Sequence, residues 1–317
     1  MANSITDIQG IKVGSQENLQ ALTGCTVILT GREGAVCGVD VRGSAPGTRE
    51  TDALAPINMV DRVHAVLLSG GSAFGLDAAG GVMQYLEEQG IGHETGPTVV
   101  PIVPAAVIYD LGVGDYRIRP DRDMGYLAAR DAGLEVREGN AGVGAGATVG
   151  KIRGYEYCTK SGLGTWSVSM VNGLTVGALV AVNAFGDVLN PGGTILAGVR
   201  DDDRRRFIGT ESVWMNNEDT TRSFLATNTT LAVVACNGKL NKSQMTKVAQ
   251  MAHDGLARVI DPIHTMCDGD TVFALATGAI DADVNIVGYI AQKVLSIAVL
   301  RAIRAAETIQ GYLCYRD

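Results

Sequence analysis

Aromatic residues make up only 5% of this 317-residue chain, proline occurs 8 times, and histidine only 4 times, at positions 64, 93, 253 and 264. The six cysteines, at 25, 37, 158, 236, 267 and 314, include no C-x-x-C pair. No histidine falls into zinc-ligand spacing with them, so neither a zinc site nor a dithiol redox motif is expected. No metal and no organic cofactor is implied. Basic residues with interleaved aromatics are also missing. The densest basic run, Arg204-Arg205-Arg206, follows Asp201-Asp202-Asp203 in a chain of net charge −8. It reads as a solvated surface loop, and nucleic-acid binding is set aside. Apolar runs fall short of a membrane span. The N-terminal MANSITDIQG has neither the basic nor the apolar region of a secretory signal. The expectation is a cytoplasmic protein with reduced, mostly buried thiols.

Glycine, by contrast, is abundant, with 41 residues against a usual share of about 7%. With no Gly-X-Y period, these residues point to tight turns and close backbone approaches in a strand-rich fold. Cys25–Thr30 and Ala35–Val41, separated by Gly31-Arg32-Glu33-Gly34, read as a β-hairpin. The apolar strand at His64–Ser69 runs into Gly70-Gly71-Ser72. A helix follows, with Leu76, Ala79, Val82, Met83 and Leu86 on one face and Gly90 at its end. Leu174–Val182 and Thr230–Cys236 read as strands. Asn241 suits the N-cap of a helix whose apolar face is Met245, Val248, Ala249, Ala252 and Leu256. A longer helix starts near 281–283, with the stripe Val287, Ile290, Ala291, Val294 and Ala298 and with Arg301 and Arg304 near its C-terminal end. Strands flanked by amphipathic helices imply a layered α/β fold. With no repeat and no linker, residues 1–317 read as a single catalytic domain.

Several familiar motifs fail. Gly142-Val143-Gly144-Ala145-Gly146-Ala147 fits a dinucleotide fingerprint but has no acidic residue about twenty positions on. Gly150-Lys151 ends a phosphate-loop pattern that breaks at Ala145 and Ile152. In Gly70-Gly71-Ser72-Ala73-Phe74, a phenylalanine replaces the last glycine of a nucleophile elbow. His253 reads as an ordinary helical histidine of surface or core.

Asn228-Thr229-Thr230, at the start of a buried strand, offers a different chemistry. An internal threonine hydroxyl is a poor nucleophile. A threonine at a chain terminus has its own α-amino group as base, with a pKa of about 7.7–8.0. Reaching that state requires cleavage of the Asn228–Thr229 bond. A strained peptide at the head of a rigid strand assists such a step.

Seven segments then stand in a recognisable order: RGSAPGTRETDAL (42–54), LLSGGSAFGLDAAGGV (67–82), VPAAVIYDL (103–111), GVGAGATVGK (142–151), GALVAVNAFGDV (177–188), NTTLAVVAC (228–236) and AHDGLARVIDPIHTMCDGDTVFALATG (252–278). With these, nearly the whole chain resembles the DmpA/nylon-oligomer-hydrolase family of self-processing N-terminal nucleophile hydrolases. The resemblance implies an α/β/β/α sandwich cut into 1–228 and 229–317, with Asn228–Thr229 as the cleavage point and Thr229 as nucleophile. It assigns Lys151 to an active-site lysine that lowers the pKa of the new amine. It makes Asn183 an oxyanion donor. Asp268 and Asp270 become an acidic pair whose alternate spacing presents both carboxylates to the Thr229 hydroxyl and Lys151. Tyr109 becomes a pocket tyrosine that binds substrate or assists the oxyanion. The loop Ser69–Ser72 either lends backbone N–H groups to the site or is ordinary turn chemistry.

A Thr nucleophile with Asp-Gly-Asp, in place of Ser and Ser-x-Glu, looks closer to the branch that hydrolyses 6-aminohexanoate (nylon) oligomers. The implied partners are a small amide or oligoamide and further copies of the chain, as in tetramers of processed protomers. The alternatives are an aminopeptidase, D-amino-acid esterase or β-aminopeptidase of the same family. More distant readings are an acetyltransferase of related fold and an unprocessed binding protein with a relic site.

Overall fold

The structure is a computed structural model that describes residues 3–216 and 228–317. Two sheets lie face to face. One is ordered Lys12–Asn18, Thr23–Leu29, Ala65–Ser69, Ala105–Val107, Thr48–Arg49. The other is ordered Leu163–Ser169, Thr175–Asn183, Thr229–Lys239, Thr271–Asp281, Ala35–Val41, Arg62–Val63. Helices α1 (Ala78–Glu88) and α2 (Arg122–Arg130) cover the first sheet. After the short α3 (Thr210–Met215), α4 (Lys242–Ala257) and α5 (Val284–Ala305) cover the second. Each sheet contains one parallel pair, Ala65–Ser69 with Ala105–Val107 and Thr229–Lys239 with Thr271–Asp281. The chain between the members of each pair carries α1 and α4 respectively.

Side-chain alternation gives each interlayer space an apolar lining. Leu231, Val233 and Ala235 point between the sheets with Leu179, Ala181, Phe273 and Leu275. The intervening Ala232, Val234 and Cys236 point to α4 and α5 with Val180, Val182, Val272 and Ala274. On the first sheet, Cys25, Val27 and Leu67 meet α1 and α2, while Ile28, Val66 and Leu68 face the other sheet. Three interlayer cores therefore define the α/β/β/α sandwich. Glycine lets the layers approach. A β-carbon on Gly38 would lie 2.2 Å from the Thr246 nitrogen of α4, and one on Gly164 would lie 2.2 Å from the Ala298 oxygen of α5.

The helices start where the sequence signals them. Asn241 accepts from Gln244 N–H in a full capping box, and Asp283 accepts from the N–H groups of Asn285 and Ile286. α5 is the one helix among the described residues long and apolar enough, by length and composition, to cross a membrane. Its stripe of Val287, Ala291, Val294 and Ala298 is buried against the second sheet, so it serves as a core helix.

The hairpin expectation is corrected. Thr23–Leu29 pairs with Lys12–Asn18 and Ala65–Ser69, whereas Ala35–Val41 pairs with Thr271–Asp281 and Arg62–Val63 in the other sheet. The turn between them carries the chain across layers. Gly34, at φ 67°, makes the redirection without side-chain strain. The six cysteines are free, and all but Cys267 are buried.

Phe273 is fully buried between the sheets. Phe273→Ala is expected to cost about 3–5 kcal/mol, read as a lowered midpoint in urea unfolding.

Candidate active site

Strand register brings the candidate residues together. Asn183, the last residue of its strand, pairs with Thr229, the first of its own. By alternation both belong to the face that carries Leu179, Ala181, Leu231 and Val233, the layer between the sheets. Tyr109 and Asp110 follow Ala105–Val107 of the opposite sheet, and Lys151 follows the short strand Thr148–Val149. The site thus forms where strand ends from both sheets converge, with Thr229 only 3% exposed.

Lys151 is wholly buried, and its ammonium donates to Asn183 Oδ1 at 2.6 Å and to Asn183 O at 3.0 Å. Asn183 Oδ1 also accepts Thr148 N–H at 3.1 Å, and Asn183 Nδ2 donates to the Tyr109 main-chain oxygen at 3.1 Å. One hydrogen of that amide remains for another acceptor. Tyr109 therefore enters the network through its carbonyl rather than its phenol. Burial pulls the Lys151 pKa down to about 7, against the opposing pull of Cys158, Asp268, Asp110 and Asp270. Lys151 accordingly divides its population between charged and neutral forms near neutrality, rather than acting as a permanent cation.

The Asn228–Thr229 junction is itself structured. Asn228 forms a parallel bridge with Asp268. Its N–H donates to Cys267 O at 2.7 Å, and its carbonyl accepts Gly269 N–H at 2.7 Å. The Thr229 hydroxyl donates to that same carbonyl oxygen. The Asn228–Thr229 carbonyl is thus polarised by a backbone donor while the hydroxyl lies against it.

The acidic pair departs from the expected geometry. Asp268 accepts Phe185 N–H at 3.2 Å with one oxygen, and Thr265 N–H at 3.0 Å and Oγ1 at 2.5 Å with the other. Asp270 accepts Thr230 N–H at 2.6 Å and His264 Nδ1 at 2.7 Å. Among the described residues neither carboxylate hydrogen-bonds the Thr229 hydroxyl or the Lys151 ammonium. The strand begins only at Thr271, so strict alternation does not govern the Asp-Gly-Asp turn. Burial and the neighbouring Asp270 raise the Asp268 pKa to about 6.

The Ser69–Ser72 loop proves to be turn chemistry. Gly70 N–H donates to Gly24 O, Gly71 N–H to Asp110 Oδ1 and Ser72 N–H to Ile108 O. Asp110 is the charged residue that sequence reasoning passed over. It is 2% exposed, accepts Thr23 Oγ1 at 2.7 Å, and faces Lys151 electrostatically. Burial raises its pKa to about 6. The available signal was an acidic residue three positions beyond a buried strand. The Gly142–Gly146 turn is wholly buried, and its glycines serve packing. A β-carbon on Gly144 would lie 2.3 Å from Gly139 O. His253 is a core residue. Beside the cluster, the rings of Phe185 and Trp214 stand 5.6 Å apart, with Cys267 packed on the same apolar group. A cavity of ≈ 690 Å³ lined by residues such as Arg62 and Lys242 includes none of these groups.

Comparison with known proteins shows the family and the fold. The model of peptidase family S58 matches residues 3–314. An uncharacterized aminopeptidase of Mycobacterium leprae is 44% identical over 99% of this chain and 93% of its own length. A 6-aminohexanoate-oligomer endohydrolase of Paenarthrobacter ureafaciens is 30% identical over 93% of this chain and 84% of its own. The solved L-aminopeptidase D-Ala-esterase/amidase of Ochrobactrum anthropi, described as a variant of the Ntn hydrolase fold, superposes with a TM-score of 0.73. It is 20% identical, over 97% of this chain and 87% of that one. A β-aminopeptidase of Burkholderia sp. gives 0.72 at 21% identity, over 100% and 91%.

The Lys151 shift carries a sign that can be tested. An unfolded chain protonates this lysine near 10.5, the folded protein only near 7. As pH falls between those values the unfolded state binds the extra proton, and stability contributed at this position is lost. Lys151→Met removes that loss. The variant should gain stability relative to the parent as pH falls from about 10 towards 7, and the difference should level off below. Equal pH dependence in denaturant titrations of the two proteins would contradict the shift.

Proposed function

This chain belongs to peptidase family S58, and from that premise we propose that it is a self-processing amide hydrolase whose nucleophile is Thr229. Membership makes it an amide or peptide hydrolase. The finer reading rests above all on the Asn228 carbonyl, which accepts Gly269 N–H while the Thr229 hydroxyl lies against it.

In the processing step, Thr229 Oγ1 attacks the Asn228 carbonyl carbon. Gly269 N–H stabilises the developing oxyanion, and the hydroxyl proton passes to the departing nitrogen. The C–N bond breaks, freeing the Thr229 α-amine and leaving an ester between the Asn228 carbonyl and Thr229 Oγ1, which water hydrolyses to the Asn228 carboxylate and the Thr229 hydroxyl. Lys151, titrating near neutrality, is suited to exchange protons along this path.

In turnover the α-amine takes the hydroxyl proton as Thr229 attacks the substrate carbonyl. The free hydrogen of Asn183 Nδ2 supports the tetrahedral oxyanion. The proton then goes to the leaving amine, and water resolves the acyl-enzyme. Asp268 and Asp270 hold the surrounding backbone and supply negative charge that favours protonated Lys151. The likeness to the 6-aminohexanoate-oligomer endohydrolase favours short linear amides, with 6-aminohexanoate oligomers as one candidate class. Identity is higher to the mycobacterial aminopeptidase than to the oligomer endohydrolase. Peptide substrates with a free amine are therefore the second candidate class. The same reading includes a homo-oligomer of processed protomers in the cytoplasm.

Denaturing intact-mass spectrometry of the parent should resolve residues 1–228 and 229–317 as two chains. Thr229→Ala should remain a single chain and lose amide turnover by at least about 1000-fold. A Thr229→Ala protein that still splits at the same bond would rule out this nucleophile.

A further inference from the structure

A polar chain leads away from Thr230 through Asp270, and its members beyond Asp270 take no part in the steps above. Asp270 is fully buried. One of its oxygens holds Thr230 N–H, while the other accepts both the main-chain N–H of His264 at 3.2 Å and its Nδ1 at 2.7 Å. His264 sits at φ 59°. A residue bearing a β-carbon adopts this left-handed conformation at a cost, and such outliers persist where the surroundings hold them. Its ring meets that of His253 edge to face at 4.8 Å. His253, buried on α4, is fixed through Nε2 on the Asp40 carbonyl at 3.1 Å. The Asp40 carboxylate holds Arg42 at 2.8 Å, and Arg42 N–H returns to the Asp270 main-chain oxygen at 3.0 Å. The ring of contacts closes on Asp270.

This chain becomes important once the Asn228–Thr229 bond is cut, so the inference rests on the function proposed above. In the intact chain Thr229 is tethered through Asn228, whose N–H and carbonyl are both held by the 267–269 turn. Cleavage passes those two bonds to the other chain. What still holds Thr229 is its pairing with Asn183 and, one residue along, Thr230 N–H on Asp270. A new terminus frays unless it is tied down. We propose that His264 is a positioning residue of the processed protein: it pins the Asp270 carboxylate, which holds the first amide of the new N-terminal strand and thereby keeps Thr229 aligned.

Two substitutions separate the ring from the backbone conformation. Glycine and asparagine both tolerate a positive φ. His264→Gly removes the side-chain donor, and His264→Asn replaces it with an amide N–H. The readout is hydrogen exchange at the amides of residues 230–232, which needs no knowledge of the substrate. It is measured in the processed proteins and, for comparison, in the same substitutions on an intact Thr229→Ala chain. In processed His264→Gly these amides should exchange at least about 10-fold faster than in the parent. Processed His264→Asn should stay within about threefold, and so should His264→Gly on the intact chain. A purely structural role would speed exchange equally in both forms. Should His264→Gly fail to fold, His264→Asp, which sets a carboxylate against Asp270, is expected to behave as His264→Gly does. Parent-like exchange in processed His264→Gly or His264→Asp would overturn the proposal, as would equal acceleration in the intact form. A parent that never splits would instead sink the function reading on which it rests.

Discussion

The pairing of Thr175–Asn183 with Thr229–Lys239 is the constraint on which the candidate site depends. Asn183 lies opposite Thr229 only in this register. Shifting it by one residue would turn the alternate faces around, sending Leu231 and Val233 toward α4 and α5 and Ala232 and Val234 between the sheets. Because both faces of this strand are buried, the three cores resist such a slip together. The position of one hydroxyl relative to one amide is thus enforced by interactions spread through the whole sandwich.

Charge burial is the second element. Lys151, Asp110, Asp268 and Asp270 are all at most 2% exposed, a costly concentration unless each group is hydrogen-bonded and the signs offset. The carboxylates satisfy themselves mainly on backbone N–H groups, from Gly71, Phe185, Thr265, Thr230 and His264. The lysine satisfies itself on a single residue, Asn183. These bonds fix loops that have no regular structure of their own. Burial draws the Lys151 pKa down to about 7 and lifts those of Asp110 and, with the neighbouring Asp270, Asp268 to about 6.

Much of this was legible in the sequence where one local rule sufficed. Asn241 as a cap, the start of α5 near 281–283, the stripes of α4 and α5, and the buried strand after Asn228 follow from periodicity and capping chemistry. The Gly31–Gly34 turn was misread because the same residues serve a hairpin and a layer crossing, and only the partner of Ala35–Val41 decides between them. Asp268 and Asp270 were picked out as a pair, but their aims depend on a turn to which strand alternation does not apply. Asp110 escaped because an acidic residue after a strand usually marks a solvated loop. Its burial arises from Thr23 and Gly71, distant in sequence. His264 lies within residues 252–278, yet its left-handed backbone and its contact with Asp270 carry no local signature.

The strand that starts at Thr229 lies in the middle of its sheet, between Thr175–Asn183 and Thr271–Asp281. A cut at its head therefore does not release a separable piece, because each fragment would supply strands to the same sheet and apolar groups to the same cores. Folding of the uncut chain is unimolecular. Reassembly of a cut one is bimolecular and governed by dilution. Hydrolysis of a single peptide bond would thus convert a reversible fold into one whose persistence is set by how slowly it comes apart.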